Sequence, residues 1–351
     1  MSYFKFQNVG IRVLSATVPK NIIKTRELKE FPQDAIDKFI ETTGVEYRRF
    51  ADADTCTSDL CYTSACQIFD ETDINREDID VLIFASQTPD YKTPSTSAIL
   101  QNRLGLKKSI ITYDLNTACQ GFLYSMFLAD TMLQLPDIKN VMILAGDTLT
   151  KVVSPTDKST GMLIGDGGIA AVISKGDVYG DTYFSMNTDG GNRELVYIPA
   201  GGARMPSSAE TMKPEEFEDG SIRSKEQLIM QGMDVFSYAI TQLPKDVKKL
   251  LEFAGLTIDD IDKYAFHQSN KFMASFIAKK LKADMSKILT SIEKYGNTAG
   301  ISIPLTLVEN KEKINPNDVI LANAIGAGFV FGSAIFNLAG CQMLEMNEFP
   351  R

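Results

Sequence analysis

The sequence predicts an α/β protein assembled from two related halves, and two observations carry that prediction. Short β-branched runs alternate with helical stretches along the whole chain, and one segment of the first half is echoed in the second. Within the 351 residues, the runs 81–86, 110–115, 141–146, 169–174, 319–324 and 333–338 predict buried strands. Between them, 59–69, 121–134, 235–253 and 271–281 predict helices. The echo sets Glu77-Asp78-Ile79-Asp80-Val81-Leu82-Ile83-Phe84 against Asp259-Asp260-Ile261-Asp262-Lys263-Tyr264-Ala265-Phe266, each following a helical pattern and running into a strand. The break between the halves is expected within 175–181, where Ser174-Lys175-Gly176-Asp177 closes a strand, giving halves 1–175 and 176–351. Residues 201–223, rich in Gly, Pro, Ser and Glu and without apolar period, predict a surface excursion suited to a lid.

Composition narrows the function classes. With 44% hydrophobic and 23% charged residues, the chain is ordinary globular material, long enough for one large core or two sharing an interface. A net charge of −9 argues against nucleic-acid binding, which needs a basic stripe to neutralise phosphates. The opening Met1-Ser2-Tyr3-Phe4-Lys5-Phe6 lacks the order of a secretion signal, and apolar runs such as 141–145 and 169–173 are too short to span a bilayer. A cytoplasmic protein is therefore expected. The five cysteines fit a reducing compartment. Cys56, Cys61 and Cys66 are spaced by five, which turns each about 140° from the last on a helix. They share no face and the chain has a single histidine, so no metal site is expected.

Chemistry concentrates in a few turns. In Asp114-Leu115-Asn116-Thr117-Ala118-Cys119-Gln120-Gly121-Phe122 a strand ends and Cys119 falls where an apolar helix begins. Helix N-termini favour thiolate, which suits a nucleophile, although a buried structural cysteine fits the same segment. The apolar sequence after Cys119 places its helix at the centre of the molecule. His267, in Phe266-His267-Gln268-Ser269-Asn270, follows a strand, where α/β proteins build sites. Asn297 stands in the turn Lys294-Tyr295-Gly296-Asn297-Thr298, a position that plain turn chemistry also explains. Gly165-Asp166-Gly167-Gly168 has no lysine and precedes a strand, so nucleotide binding is not expected there. Gly326-Ala327-Gly328-Phe329 joins two strands, with glycines that permit close backbone approach.

Taken in order, Thr117-Ala118-Cys119-Gln120-Gly121-Phe122, Gly165-Asp166-Gly167, His267-Gln268-Ser269-Asn270, Gly296-Asn297-Thr298 and Gly326-Ala327-Gly328-Phe329 resemble the 3-oxoacyl-[acyl-carrier-protein] synthase III family, from about residue 9 to 338. The resemblance implies a thiolase-like fold, two α/β halves in a five-layered αβαβα sandwich, working as a homodimer. It implies a catalytic set of Cys119, His267 and Asn297, with the backbone of Cys119 and Ala327 as oxyanion hole and no cofactor. Cys119 would take an acyl group from acyl-coenzyme A or an acyl-carrier protein. Malonyl-carrier protein would then lose carbon dioxide, and its enolate would attack the acyl-cysteine. By the same resemblance Asn270, Lys158, Thr93 and Ile325 fall at the substrate, Thr93 reaching the pocket of the partner subunit. Adenine-binding relatives use a tryptophan and an arginine where Lys38 and Thr42 stand here, and the chain has no tryptophan. That implies preference for carrier-protein donors. Alternatives are a specialised ketide-forming enzyme of the same Cys–His–Asn type, and a non-catalytic carrier-binding subunit.

Overall fold

The computed structural model describes residues 2–218 and 220–350. Two sheets organise them. The first runs Gln342–Met343, Val9–Pro19, Gly167–Lys175, Asn140–Asp147, Val81–Ala85, Ile111–Leu115, with Asn347–Phe349 also joining Val9–Pro19. The second runs Ser2–Phe6, Thr182–Thr188, Val330–Phe336, Ile320–Gly326, Lys263–Phe266. Both chain ends thus cross over: the first strand pairs with the later sheet and the last strands with the earlier one.

The echoed segments occupy equivalent places. Each opens on a short 3-10 turn closed by a capping box, Asn75 with Asp78 and Thr257 with Asp260. Each then enters a strand parallel to its neighbour, Val81 opposite Val141 and Lys263 opposite Ile320. In each sheet the neighbour is followed by an antiparallel strand. The six expected strands all form, with ends displaced by one to three residues, the largest shift being a start at Val330 instead of 333.

Five layers result. Thr57–Glu71 and Thr96–Arg103 cover the outer face of the first sheet, and Gly232–Ala254 with Lys271–Leu281 cover that of the second. Between the sheets lie Gly121–Met132 and Ser302–Glu309, packed in one apolar cluster that includes Ile143 and Ile169 from one side and Ala322 and Ala334 from the other. Phe122, Leu123 and Met126 are wholly buried there. Burial of each contributes about 1.5–3 kcal/mol, which explains why the helix is apolar nearly all round. The N-termini of both central helices meet between the sheets, and the site is built there.

Residues 201–223 carry a small hairpin, Glu215–Glu216 with Ile222–Arg223, on an otherwise exposed excursion. Arg223 reaches inward to a fully buried Asp157 at 2.5 Å, pinning the hairpin to the body. Among the described residues no helix is long and apolar enough to cross a membrane.

Candidate active site

Cys119 lies in the 3-10 turn Ala118–Gln120, directly before the central helix Gly121–Met132. The residue before it, Ala118, holds φ 48°, a left-handed conformation uncommon for a side-chain-bearing residue. Two glycines make this tight turn possible. A Cβ on Gly326 would stand 2.6 Å from the Thr117 carbonyl oxygen and 2.9 Å from the Cys119 nitrogen. A Cβ on Gly300 would stand 2.8 Å from the Ala118 carbonyl oxygen. The turns 326–328 and 297–302 therefore press their bare backbone against the nucleophile's own.

The turn 297–302 gathers the remaining groups. Asn297, 6% exposed, accepts the Ala299 N–H on its side-chain oxygen at 2.9 Å, which leaves its amide hydrogens free to donate. Its backbone is clamped to the other half: Asn297 N–H donates to the Leu163 carbonyl at 2.9 Å, and Gly165 N–H donates to the Asn297 carbonyl at 3.1 Å. The Gly165-Asp166-Gly167 motif thus braces Asn297. Asp166 completes the brace by accepting from Ala51 N–H, Thr150 N–H and the Thr150 hydroxyl. His267, 8% exposed, follows the strand Lys263–Phe266, and its Nδ1 meets the Ser302 hydroxyl at 2.6 Å. Asp147 accepts from the Ser86 hydroxyl and from both nitrogens of Gln87, and the Gly300 N–H helps to hold its pKa down against burial. One six-residue turn therefore connects Cys119, His267 and Asn297.

Electrostatics correct one sequence expectation. The Cys119 thiol is pushed up to about 12, chiefly by burial and then by the Asp147 charge, with only its own backbone N–H opposing. Desolvation outweighs the helix N-terminus, so the resting group is a thiol and not the thiolate that the helix start suggested. Burial lowers His267 to about 4, leaving the imidazole neutral at physiological pH.

The substrate candidates are more scattered. Asn270 caps Lys271–Leu281, accepting Met273 N–H at 2.6 Å, and lines a cavity of about 250 Å³ with Gln268, Lys271 and Glu293. Lys158 is exposed on the flank, against Gly220 of the hairpin. Thr93 is exposed in the loop before Pro94. The Ile325 side chain belongs to the outer cluster with Phe329 and Phe331, whereas Cys119 packs against a separate cluster containing Leu149, Leu163 and Leu228, against which Val196 and Ile198 also pack. Val196, Ile198 and Leu228 also line a cavity of about 850 Å³ bounded by Gln87, Asn116 and Ala327. Sequence reasoning missed Asp147 and Ser302. The first was signalled by a carboxylate at the end of a buried strand, the second by a lone hydroxyl in an apolar helix start.

A cysteine on a constrained turn between two sheets, linked through the 297–302 turn to a neutral histidine and a buried asparagine, fits a condensing acyltransferase class. Sequence profiles of 3-oxoacyl-[acyl-carrier-protein] synthase III match residues 113–190, and that family's C-terminal profile matches 251–338. Beta-ketoacyl-[acyl-carrier-protein] synthase III of Fusobacterium nucleatum is 34% identical, covering 95% of this chain and 99% of that one. The protein of the same name from Caldanaerobacter subterraneus is 32% identical over 93% and 96%. Among solved structures, a 3-oxoacyl-(acyl-carrier protein) synthase from Burkholderia xenovorans superposes with TM-score 0.91 at 29% identity, covering 99% of both chains. The chain belongs to the 3-oxoacyl-[acyl-carrier-protein] synthase III family.

Proposed function

We propose that the chain joins an acyl primer to malonyl-carrier protein through an acyl-cysteine on Cys119, as a step of fatty-acid synthesis. In the first half-reaction the Cys119 sulfur attacks the primer thioester carbonyl and gives up its proton to the departing carrier thiol. The backbone N–H groups of Cys119 and Ala327 bind the oxyanion between them. In the second, the malonyl C–C bond breaks, carbon dioxide departs, and the bonding pair becomes an enolate. His267 and Asn297 donate hydrogen bonds to the thioester oxygen where that charge gathers, each lowering the barrier by roughly 3 kcal/mol. The enolate carbon attacks the acyl-cysteine carbonyl, and the Cys119 sulfur leaves as thiolate and takes up a proton from solvent, which restores the resting thiol.

One observation carries this reading. The turn 297–302 supplies Asn297 with its amide oxygen already occupied and holds His267 through Ser302, while its Gly300 backbone lies against the Cys119 turn. Both side chains are thus neutral donors in a dry site, suited to an enolate oxygen. The test separates the half-reactions: His267→Ala should still accept an acyl group from a thioester but lose most malonyl-carrier decarboxylation. Equal loss of both would contradict the division of roles.

The finer parts of the reading have their own supports. The cavity of about 850 Å³ touching the Cys119 cluster is our choice for the primer. A homodimer is supported by the edge strand Ile111–Leu115, whose Ile111 is 45% exposed. In such a dimer Thr93 would reach the partner's primer cavity. Asn270 and Lys158 stay our candidates for the pantetheine approach, and Ile325 for shaping the strand that ends at the oxyanion turn. We also place the protein in the cytoplasm and divide it at 175/176 into a nucleophile half and a half carrying His267 and Asn297.

A further inference from the structure

We propose that Ser302 is the positioning residue that fixes the tautomer of His267, keeping the proton on Nε2, so that the imidazole presents a donor to the site. Ser302 is 1% exposed, and its hydroxyl oxygen lies 2.6 Å from His267 Nδ1 and accepts the Gln268 N–H at 3.2 Å. That N–H cannot turn away, because Gln268 is held at both ends of its side chain. Its Nε2 donates to the Phe266 carbonyl at 2.7 Å, and its Oε1 accepts Ser291 N–H at 3.1 Å and the Thr290 hydroxyl at 3.2 Å.

Two arrangements are open to the imidazole. Were Nδ1 protonated, the Ser302 oxygen would receive two donors, and its own proton would need a further acceptor. Among the described residues no other acceptor faces that hydroxyl, and burial denies it water. With the proton on Nε2, Ser302 donates to Nδ1 and accepts from Gln268, so every hydrogen is used. The bond at one ring nitrogen thus decides what the other does. Ser302 opens the central helix Ser302–Glu309 and lies five residues after Asn297, so one turn orients both groups.

The importance of that tautomer rests on the proposed donor role of His267, but its test does not. The chain has one histidine, so ¹⁵N-histidine labelling of the full-length protein gives a single imidazole whose protonated nitrogen is read directly by NMR. At pH 7 the wild type should show the proton on Nε2. Ser302→Ala should move the tautomer ratio towards Nδ1 by about tenfold, the weight of one ordinary hydrogen bond, and Ser302→Thr should restore it. Malonyl-carrier decarboxylation should follow the same order, falling roughly tenfold in the alanine variant with acylation of Cys119 retained. A wild-type proton on Nδ1 overturns the proposal even if no variant folds, and so does an unchanged ratio in a folded Ser302→Ala protein. A wild type with its proton on Nε2 that fails to decarboxylate malonyl-carrier protein would leave Ser302 its role and remove the proposed reaction.

Discussion

Gly326→Ala tests how the nucleophile's backbone is held. The new methyl would stand 2.6 Å from Thr117 O, 2.9 Å from Cys119 N and 3.1 Å from Ala118 Cβ. Carbon contacts are comfortable near 3.5–4 Å, so the two turns must part by about half an ångström or more. None of the three atoms is the free end of a flexible side chain, so backbone has to move. Overpacking of this kind costs roughly 1–3 kcal/mol of stability. The larger effect falls on chemistry, because the proposed oxyanion pair, Cys119 N–H and Ala327 N–H, sits on the two turns that would be forced apart. Loss of one such donor costs about 100- to 1,000-fold. We expect acylation of Cys119 by an acyl thioester, followed by mass against time, to slow about 100-fold, with thermal melts showing a folded protein. Gly232→Ala is the control, since a methyl there meets nothing within 4 Å, and its rate should match the wild type. A folded Gly326→Ala protein that acylates at the wild-type rate would refute the account of the oxyanion turn.

Other perturbations read the electrostatics and the donor. Because the Cys119 thiol sits near 12, its acylation should rise about tenfold per pH unit between 7 and 9; a flat profile would show that the thiolate forms more readily than burial allows. Asp130 is wholly buried, bonded to Thr182, and burial lifts it from 3.8 to about 7. A raised carboxyl stabilises the fold at low pH, and that contribution fades as pH rises from about 4 through 7. Asp130→Asn should therefore gain on the wild type as pH rises from 5 to 8, by at most about 3 kcal/mol in denaturant melts, and a constant difference would contradict this. For the donor, the groove beside Lys271 is lined by Asp37, Glu41, Glu46 and Glu293 against a single further cation, Arg26, which is already paired with Asp37 and Glu46; this acidic excess disfavours nucleotide phosphates, and the groove has no tryptophan. One acyl group offered on both carriers should transfer faster from carrier protein than from coenzyme A; equal or faster transfer from coenzyme A would sink the idea.

What the sequence revealed and concealed follows from the range of the interactions. The echo at 77–84 and 259–266 was legible because a capping box spanning four residues and the apolar run behind it are local signals. Cys119 at a helix start, and the burial of that helix, were legible for the same reason. Val9–Pro19 went unread as a strand because almost every residue is buried, which erases the alternation of a half-exposed strand. The pairing of Ser2–Phe6 with Thr182–Thr188 spans nearly half the chain, and no local pattern announces it. Ser302 was hidden in an apolar run, its partner lying 35 residues away. The Cys119 thiol was misjudged because its helix is local, whereas the burial and the Asp147 charge that overrule it come from the tertiary fold.

The central claim, that Cys119 carries the acyl group, is tested most directly by intact-protein mass after incubation with acyl thioesters. Cys61 is buried and Cys341 half-buried, and desolvation raises both thiols too, so acidity does not single out Cys119; its place between the 297–302 and 326–328 turns does. The wild type, Cys61→Ala and Cys341→Ala should each gain the mass of one acyl group, and Cys119→Ala should gain none. An undiminished adduct on the Cys119→Ala protein would contradict the account.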